Sequence, residues 1–200
     1  IGENAFKNSE IENISLPSCV EEFENKWCNK VYNLINIIIY ESKVKNIQFY
    51  DDKYLIKKRD SKSEIFNVLL FARRDLTKAV IPSFIIQIAP YSFQCCIYLT
   101  DIEFEENSHI SEIENNAFSY LNIKKFVIPS TVKRIGRETF SKCYQLESIC
   151  FEKDSQLEFI DPCAFKNTSI TSFSIPSSCI FISDNAFMNC NLQIIEIEEN

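Results

Sequence analysis

The sequence predicts an elongated, β-rich solenoid in which successive coils stack short parallel strands into one body. Two observations carry this. The first is a strict 47-residue period: Pro82, Pro129 and Pro176 are so spaced, and so are Ile88, Ile135 and Ile182, then Phe93, Phe140 and Phe187, then Cys96, Cys143 and Cys190. Self-similarity at a fixed spacing is the mark of a stacked repeat array. The second is that each period holds two unequal halves of 25 and 22 residues, marked by Ile88, Ile113, Ile135, Ile160 and Ile182.

Each half ends in a short stretch where buried-type and polar residues alternate. Leu146, Ile149 and Phe151 show it in the long half; Ile170, Phe173, Ile175 and Pro176 show it in the short half. Period-two alternation suits a strand with one buried face. A single strand of this length cannot bury its apolar side alone, so coil must stack on coil. Proline after the strand lacks a backbone donor and should end pairing there. The Ala-Phe-x-x-Cys step places Phe and Cys three apart, as one helical or 3₁₀ turn would. Glycine is scarce, at Gly2 and Gly136 only, so Asn4, Asn116 and Asn185 are candidates for left-handed turn positions.

The template extends to both ends. It gives eight coils, centred on Phe6, Cys28, Phe71, Phe93, Phe118, Phe140, Phe165 and Phe187, with Trp27-Cys28 in the Ala-Phe slot of the second. Residues 1–200 thus read as one solenoid, and a chain that opens and closes inside a coil reads as part of a longer array. Pro17 and Pro82 are 65 apart, 18 more than the period. The surplus falls within roughly 49–72, where Tyr54 to Lys58 and Ile65 to Ala72 read as strands and Arg59 to Ser63 as their turn. This predicts a β-hairpin that projects from, or lengthens, one coil.

Composition narrows the function. A net charge of −7 argues against a nucleic-acid partner, which needs a basic stripe. The longest apolar runs, such as Leu34 to Tyr40, are too short to span a membrane, so no transmembrane segment is expected.

The pattern I-P-S-x-V-x-x-I-x-x-x-(A/T)-F-x-x-C-x-x-L-x-x-I-x-F resembles the BspA-like leucine-rich repeats; Ile128 to Val132, Ala164-Phe165, and Phe140 with Cys143 match it in order and spacing. The stretch from Asp52 to Asp75 is similar to an insert found in the protozoan-parasite branch of that family. The resemblance implies a right-handed leucine-rich-repeat solenoid with a parallel sheet on one side. It also implies a surface or secreted protein that contacts a protein or cell-surface ligand, with no cofactor and no catalytic residues to transfer.

The candidate binding residues come from strand geometry. Residues beside the buried Ile or Phe must face outward: Lys78, Val80, Asp101, Glu103, Lys125, Val127, Ser148, Cys150, Ser172, Ser174, Ile194 and Glu196. This face mixes charge with apolar groups and suits a protein partner. A second candidate is a basic cluster of Lys57, Lys58, Arg59, Arg73 and Arg74 on or beside the insertion, which would meet an anionic glycan or membrane surface. It would equally serve as solubilising charge on the hairpin.

Other chemistry is weaker. The repeat-position cysteines Cys96, Cys143 and Cys190 read as interior filler; no C-x-x-C pair points to a metal, and Cys150 is the thiol expected to face outward. His109 reads as a solvated loop histidine beside Ser108, with no third group to orient it. The acidic runs at 103–106 and 196–199 lack the spacing of a calcium loop and read as a solvated rim. Two glycosylation triplets start at Asn13 and Asn167.

Overall fold

The computed structural model describes residues 1–17, 19–20, 22–40, 46–60 and 62–198. The front of the solenoid carries β1 (Asn13–Leu16), β2 (Asn36–Ile39), β6 (Lys78–Ile81), β8 (Asp101–Phe104), β10 (Lys125–Ile128), β12 (Ser148–Phe151), β14 (Ser172–Ile175) and β16 (Ile194–Ile197). They pair in parallel and in register as β1–β2, β6–β8, β10–β12 and β14–β16. Proline explains why they pair by twos. The residue after the second strand of each pair donates backward, as Glu105 N–H does to Ile81 O at 3.0 Å and Glu152 N–H to Ile128 O at 3.0 Å. The equivalent residue after β10 is Pro129 and after β14 is Pro176, neither of which has a proton to donate.

A second sheet lies on the back, which the sequence reading does not foresee. Its strands β7 (Gln87–Ile88), β9 (Glu112–Ile113), β11 (Arg134–Ile135), β13 (Phe159–Ile160) and β15 (Phe181–Ile182) are two residues long, too short to show a period. They bring Ile88, Ile113, Ile135, Ile160 and Ile182 into one row. Gly136 follows that row. A Cβ there would stand 2.8 Å from the Asn115 backbone nitrogen, so only glycine fits.

No helix forms at the Ala-Phe steps, contrary to the expected helical or 3₁₀ turn. Each slot is flanked, two residues to either side, by residues of positive φ: Tyr91 and Cys95 around Phe93, Asn116 and Tyr120 around Phe118, Glu138 and Lys142 around Phe140. Alternation between right- and left-handed backbone makes alternate N–H groups point in different directions. Cys96 N–H closes a local turn onto Phe93 O at 3.1 Å, while Phe93 N–H reaches the next coil at Ala117 O at 2.8 Å. Inter-coil bonds of this kind offset the roughly 1–2 kcal/mol cost of each left-handed residue. Asn4, Asn116 and Asn185 sit at such positions, with φ of 58, 57 and 58°.

The turns hold a column of rings. Phe118–Phe140, Phe140–Phe165 and Phe165–Phe187 stack with centroids 5.5, 5.5 and 5.2 Å apart and planes within 15°. Stacking at this offset adds about 0.5–1.5 kcal/mol per pair beyond burial. Cys143 and Cys190 lie beside the column and donate S–H to the Phe carbonyl of the previous coil, Phe118 O at 3.1 Å and Phe165 O at 3.0 Å. The cysteine ladder therefore caps carbonyls as well as filling space.

The insertion holds the expected hairpin with a third strand before it, and it lengthens the back sheet rather than projecting from it. β3 (Ile47–Tyr50), β4 (Tyr54–Lys58) and β5 (Phe66–Ala72) form an antiparallel meander whose last strand joins β7 in parallel and so extends the back sheet. The two predicted strands are there, Ile65 excepted; Ser61, expected in the turn, lies outside the described residues. β4 and β5 act as a wall between two cores. Tyr54, Ile56 and Leu69 face the core of the C-terminal coils, whereas Leu55, Val68, Leu70 and Phe71 face a smaller core with Phe23, Trp27 and Leu34. Strands buried on both faces read as continuous apolar runs, which is why Val68-Leu69-Leu70-Phe71-Ala72 shows no alternation. Phe71 also misses the slot expected of it. Ala72 N–H makes the inter-coil bond to Ser92 O at 3.0 Å, while Phe71 packs on Trp27 with centroids 5.5 Å apart.

Candidate interaction surface

The front strands present three outward columns. The first runs Lys78, Asp101, Lys125, Ser148, Ser172 and Ile194; the second runs Val80, Glu103, Val127, Cys150, Ser174 and Glu196. Asn13 and Asn36, then Ser15 and Ile38, continue both columns onto β1 and β2. Ser148, Cys150 and Ser174 are half-buried and the others in the two columns are exposed. Continued alternation places the exposed Glu105, Glu152 and Glu198 in a third column, where they alternate with the buried Pro82, Pro129 and Pro176. Glu105 Oε2 accepts Ser83 N–H at 2.9 Å and Ser83 Oγ at 3.1 Å, and Glu152 Oε2 accepts Ser130 N–H at 2.9 Å. Their spacing of 47 and 46 residues was available in the sequence as a sign of this column.

Four of the outward side chains are apolar and β-branched. Ile38, Val80, Val127 and Ile194 are 50, 49, 37 and 51 % exposed. Charge at this face is held loosely: Lys78 Nζ lies 4.0 Å from Asp101 Oδ2 with both groups largely in solvent, a contact worth little.

A BspA-type leucine-rich-repeat region, in six copies, matches residues 1–53 and 64–193. The chain belongs to the BspA-type leucine-rich-repeat family. Solved structures agree with that fold. A leucine-rich repeat protein of Eubacterium ventriosum superposes with a TM-score of 0.77 at 21% identity, over 94% of this chain and 49% of its own. The pneumococcal vaccine antigen PcpA superposes with a TM-score of 0.61 at 23% identity, over 77% of this chain and 39% of its own. A leucine-rich repeat protein of Bacteroides ovatus does so with a TM-score of 0.55 at 27% identity, over 80% and 43%. The chain thus spans less than half the length of each of these solved proteins. No curated protein matches it.

In this BspA-type solenoid the basic cluster does not form a surface patch. Arg74 is 1 % exposed. Its guanidinium donates to Val31 O at 3.1 Å, Ala72 O at 3.1 Å, Ser92 O at 2.7 Å and Tyr91 O at 3.3 Å. It also contacts Cys96 Sγ at 3.3 Å and Cys28 Sγ at 3.6 Å, and lies over the Phe71 ring. Arg74 thereby ties the second coil, the insertion and the fourth coil together where the array is interrupted. Lys58 is buried too, reaching out to Glu64 at 3.2 Å. Arg73 is held in a fork by Asp75, and Arg59 stands 3.9 Å from Glu112. Lys57, Lys58 and Arg59 line a hollow of about 220 Å³ on this side together with Glu22 and Asp60. The sequence shows all five as surface charge; the fold buries Lys58 and Arg74, half-buries Lys57 and Arg73, and leaves Arg59 exposed.

The buried thiols are protected. Burial pushes Cys28 up to about 11 against the pull of Arg74, and pushes Cys143 up to about 12. At neutral pH both are protonated and unreactive. Cys150, expected to be the open thiol, is half-buried between β10 and β14; Cys19 is the exposed one. His109 is exposed, with Nδ1 3.2 Å from Ser83 O rather than from an acid or nucleophile. Among the described residues, no three His, Cys, Asp or Glu side chains gather as a metal site. Of the acidic runs, Glu199 lies outside the described residues. No helix among the described residues is long and apolar enough to cross a membrane.

Proposed function

We propose that this chain is a non-enzymatic protein-interaction module that engages a protein or cell-surface ligand with the outward face of its front strands, from outside the cell. One observation carries this: in-register outward positions hold Ile38, Val80, Val127 and Ile194, where a polar residue would fold as well. Apolar groups set among charges on a regular, rigid sheet are the composition of a binding patch. The family supports display outside the cell, and a fold shared with a vaccine antigen points the same way.

The test is a pair of substitutions, Val80→Asp with Val127→Asp. Both sites are exposed, so unfolding free energy should change by no more than about 0.5 kcal/mol each. Attachment of the labelled chain to intact cells and matrix-coated surfaces should fall at least tenfold, as expected where a few residues carry the energy. Undiminished attachment, with loss instead on Lys30→Glu and Lys142→Glu on the turn side, would move the site off the front sheet.

A second reading, an intracellular scaffold using the same face, is favoured by the cysteines: all nine are free thiols, as a reducing compartment would keep them. An N-glycan on the exposed Asn13 in protein from its native source decides for the outside; unglycosylated, fully reduced protein decides for the inside.

A further inference from the structure

Resting on the reading of the front sheet as the interaction face, we infer that its partner is a basic protein segment, lying along the solenoid axis with Lys or Arg at every third residue between apolar ones. Charge complementarity chooses this occupant. From β6 to β16 the three outward columns hold Asp101, Glu103, Glu105, Glu152, Glu196 and Glu198 against two cations, Lys78 and Lys125. No outward cation follows Lys125 in those columns, and no arginine stands in them. The apolar groups are interleaved with this charge: Val80 is the direct partner of Glu103, and Val127 stands on the next strand. A purely apolar partner would take these carboxylates out of water without pairing them, which opposes binding. An anionic glycan, nucleic acid or membrane would be repelled.

The third column supplies the spacing. An open hollow of about 530 Å³ lies between Glu105, Ser130 and Glu152, with His109 also in its lining, and its repeat-equivalent of about 590 Å³ lies between Glu152, Ser178 and Glu198, with Lys153 and Asp154 also in its lining. Glu105 and Glu152 are two coils apart, about 10 Å at the usual strand separation. A segment in the polyproline II conformation covers that distance in three residues at about 3.1 Å each and returns every third side chain to the same face. Each Glu uses Oε2 to hold the serine backbone of the preceding coil, Ser83 for Glu105 and Ser130 for Glu152, which fixes the carboxylate in place. A cation seated in each hollow meets an anchored acceptor, so little side-chain ordering is left to oppose binding. Length and exposure suit Lys or Arg, with Arg able to bridge a carboxylate and a serine hydroxyl at once.

The test selects random dodecapeptides displayed on phage against the immobilised chain. Enriched peptides should carry Lys or Arg at i and i+3 with apolar residues between. Their affinity should fall about tenfold on the double substitution Glu103→Lys with Glu196→Lys, and severalfold when salt is raised from 0.15 to 0.5 M. Neither Glu103 nor Glu196 bonds to the fold, so both variants should melt as the parent does. Enriched peptides that are neutral or acidic, yet are lost on Val80→Ser with Val127→Ser, overturn the basic partner and leave the interaction face standing. Peptides whose binding survives all four substitutions overturn both. Failure to enrich any peptide overturns the inference.

Discussion

Replacing Arg74 with Leu is expected to cost about 3–5 kcal/mol and to loosen the N-terminal coils first. The side chain is enclosed and donates to four backbone carbonyls, those of Val31, Ala72, Tyr91 and Ser92; Ser92 O keeps its bond from Ala72 N–H and Tyr91 O its bond from Gln94 N–H, so Val31 O loses most. Each acceptor left bare in a dry interior costs roughly 1–3 kcal/mol, partly recovered by relaxation. Leucine fills part of the volume and removes a cation that has no carboxylate partner, which limits the loss. Lysine retains charge but not the planar fork, so Arg74→Lys should recover less than half of the stability. Urea unfolding with native-state hydrogen exchange checks both magnitude and place: protection should drop first in β1, β2 and the meander. A parent-like midpoint for Arg74→Leu would mean that the two cores hold together without this residue.

The second large effect is expected at Ile135. It is fully buried in β11, with Ile113 on one side and Ile160 on the other. Removing a buried Ile forfeits about 1.5–3 kcal/mol, and an unpaired carboxylate in its place adds several more. Ile135→Asp should therefore exceed about 4 kcal/mol and break the middle of the array. The same change at Ile197, which is 73 % exposed, is the control and should be nearly silent. Calorimetry of the two variants side by side checks it; equal melting would mean that the assigned inward row is wrong.

The front strands were legible because their signal is redundant. Ile149 and Phe151 alternate with polar residues, and the 47-residue period repeats the alternation until register is fixed. The same redundancy marks Val80, Asp101, Glu103 and Val127 as outward positions. The back sheet had no such support: Gln87-Ile88 is too short to alternate. The meander was legible as strands but not as a wall, because Val68 to Ala72 looks alike whether one face or both are covered. Arg74 escaped for a related reason. An arginine next to Arg73 reads as surface charge, and nothing local shows that four carbonyls from three separate segments converge on it. The rim carboxylates were seen as solvated charge, since the bond from Ser83 to Glu105 joins residues 22 positions apart.

The central claim is that recognition happens on the front strands. Site-specific photo-crosslinking tests it most directly, with the photoreactive residue placed in turn at positions 80, 103 and 127, then at 30 and 142 on the turn side and at 57 and 59 on the insertion. Incubated with the ligand-bearing cells, the chain should form covalent adducts from 80, 103 and 127 alone. Adducts from the turn side or the insertion, with none from the three front positions, would contradict it.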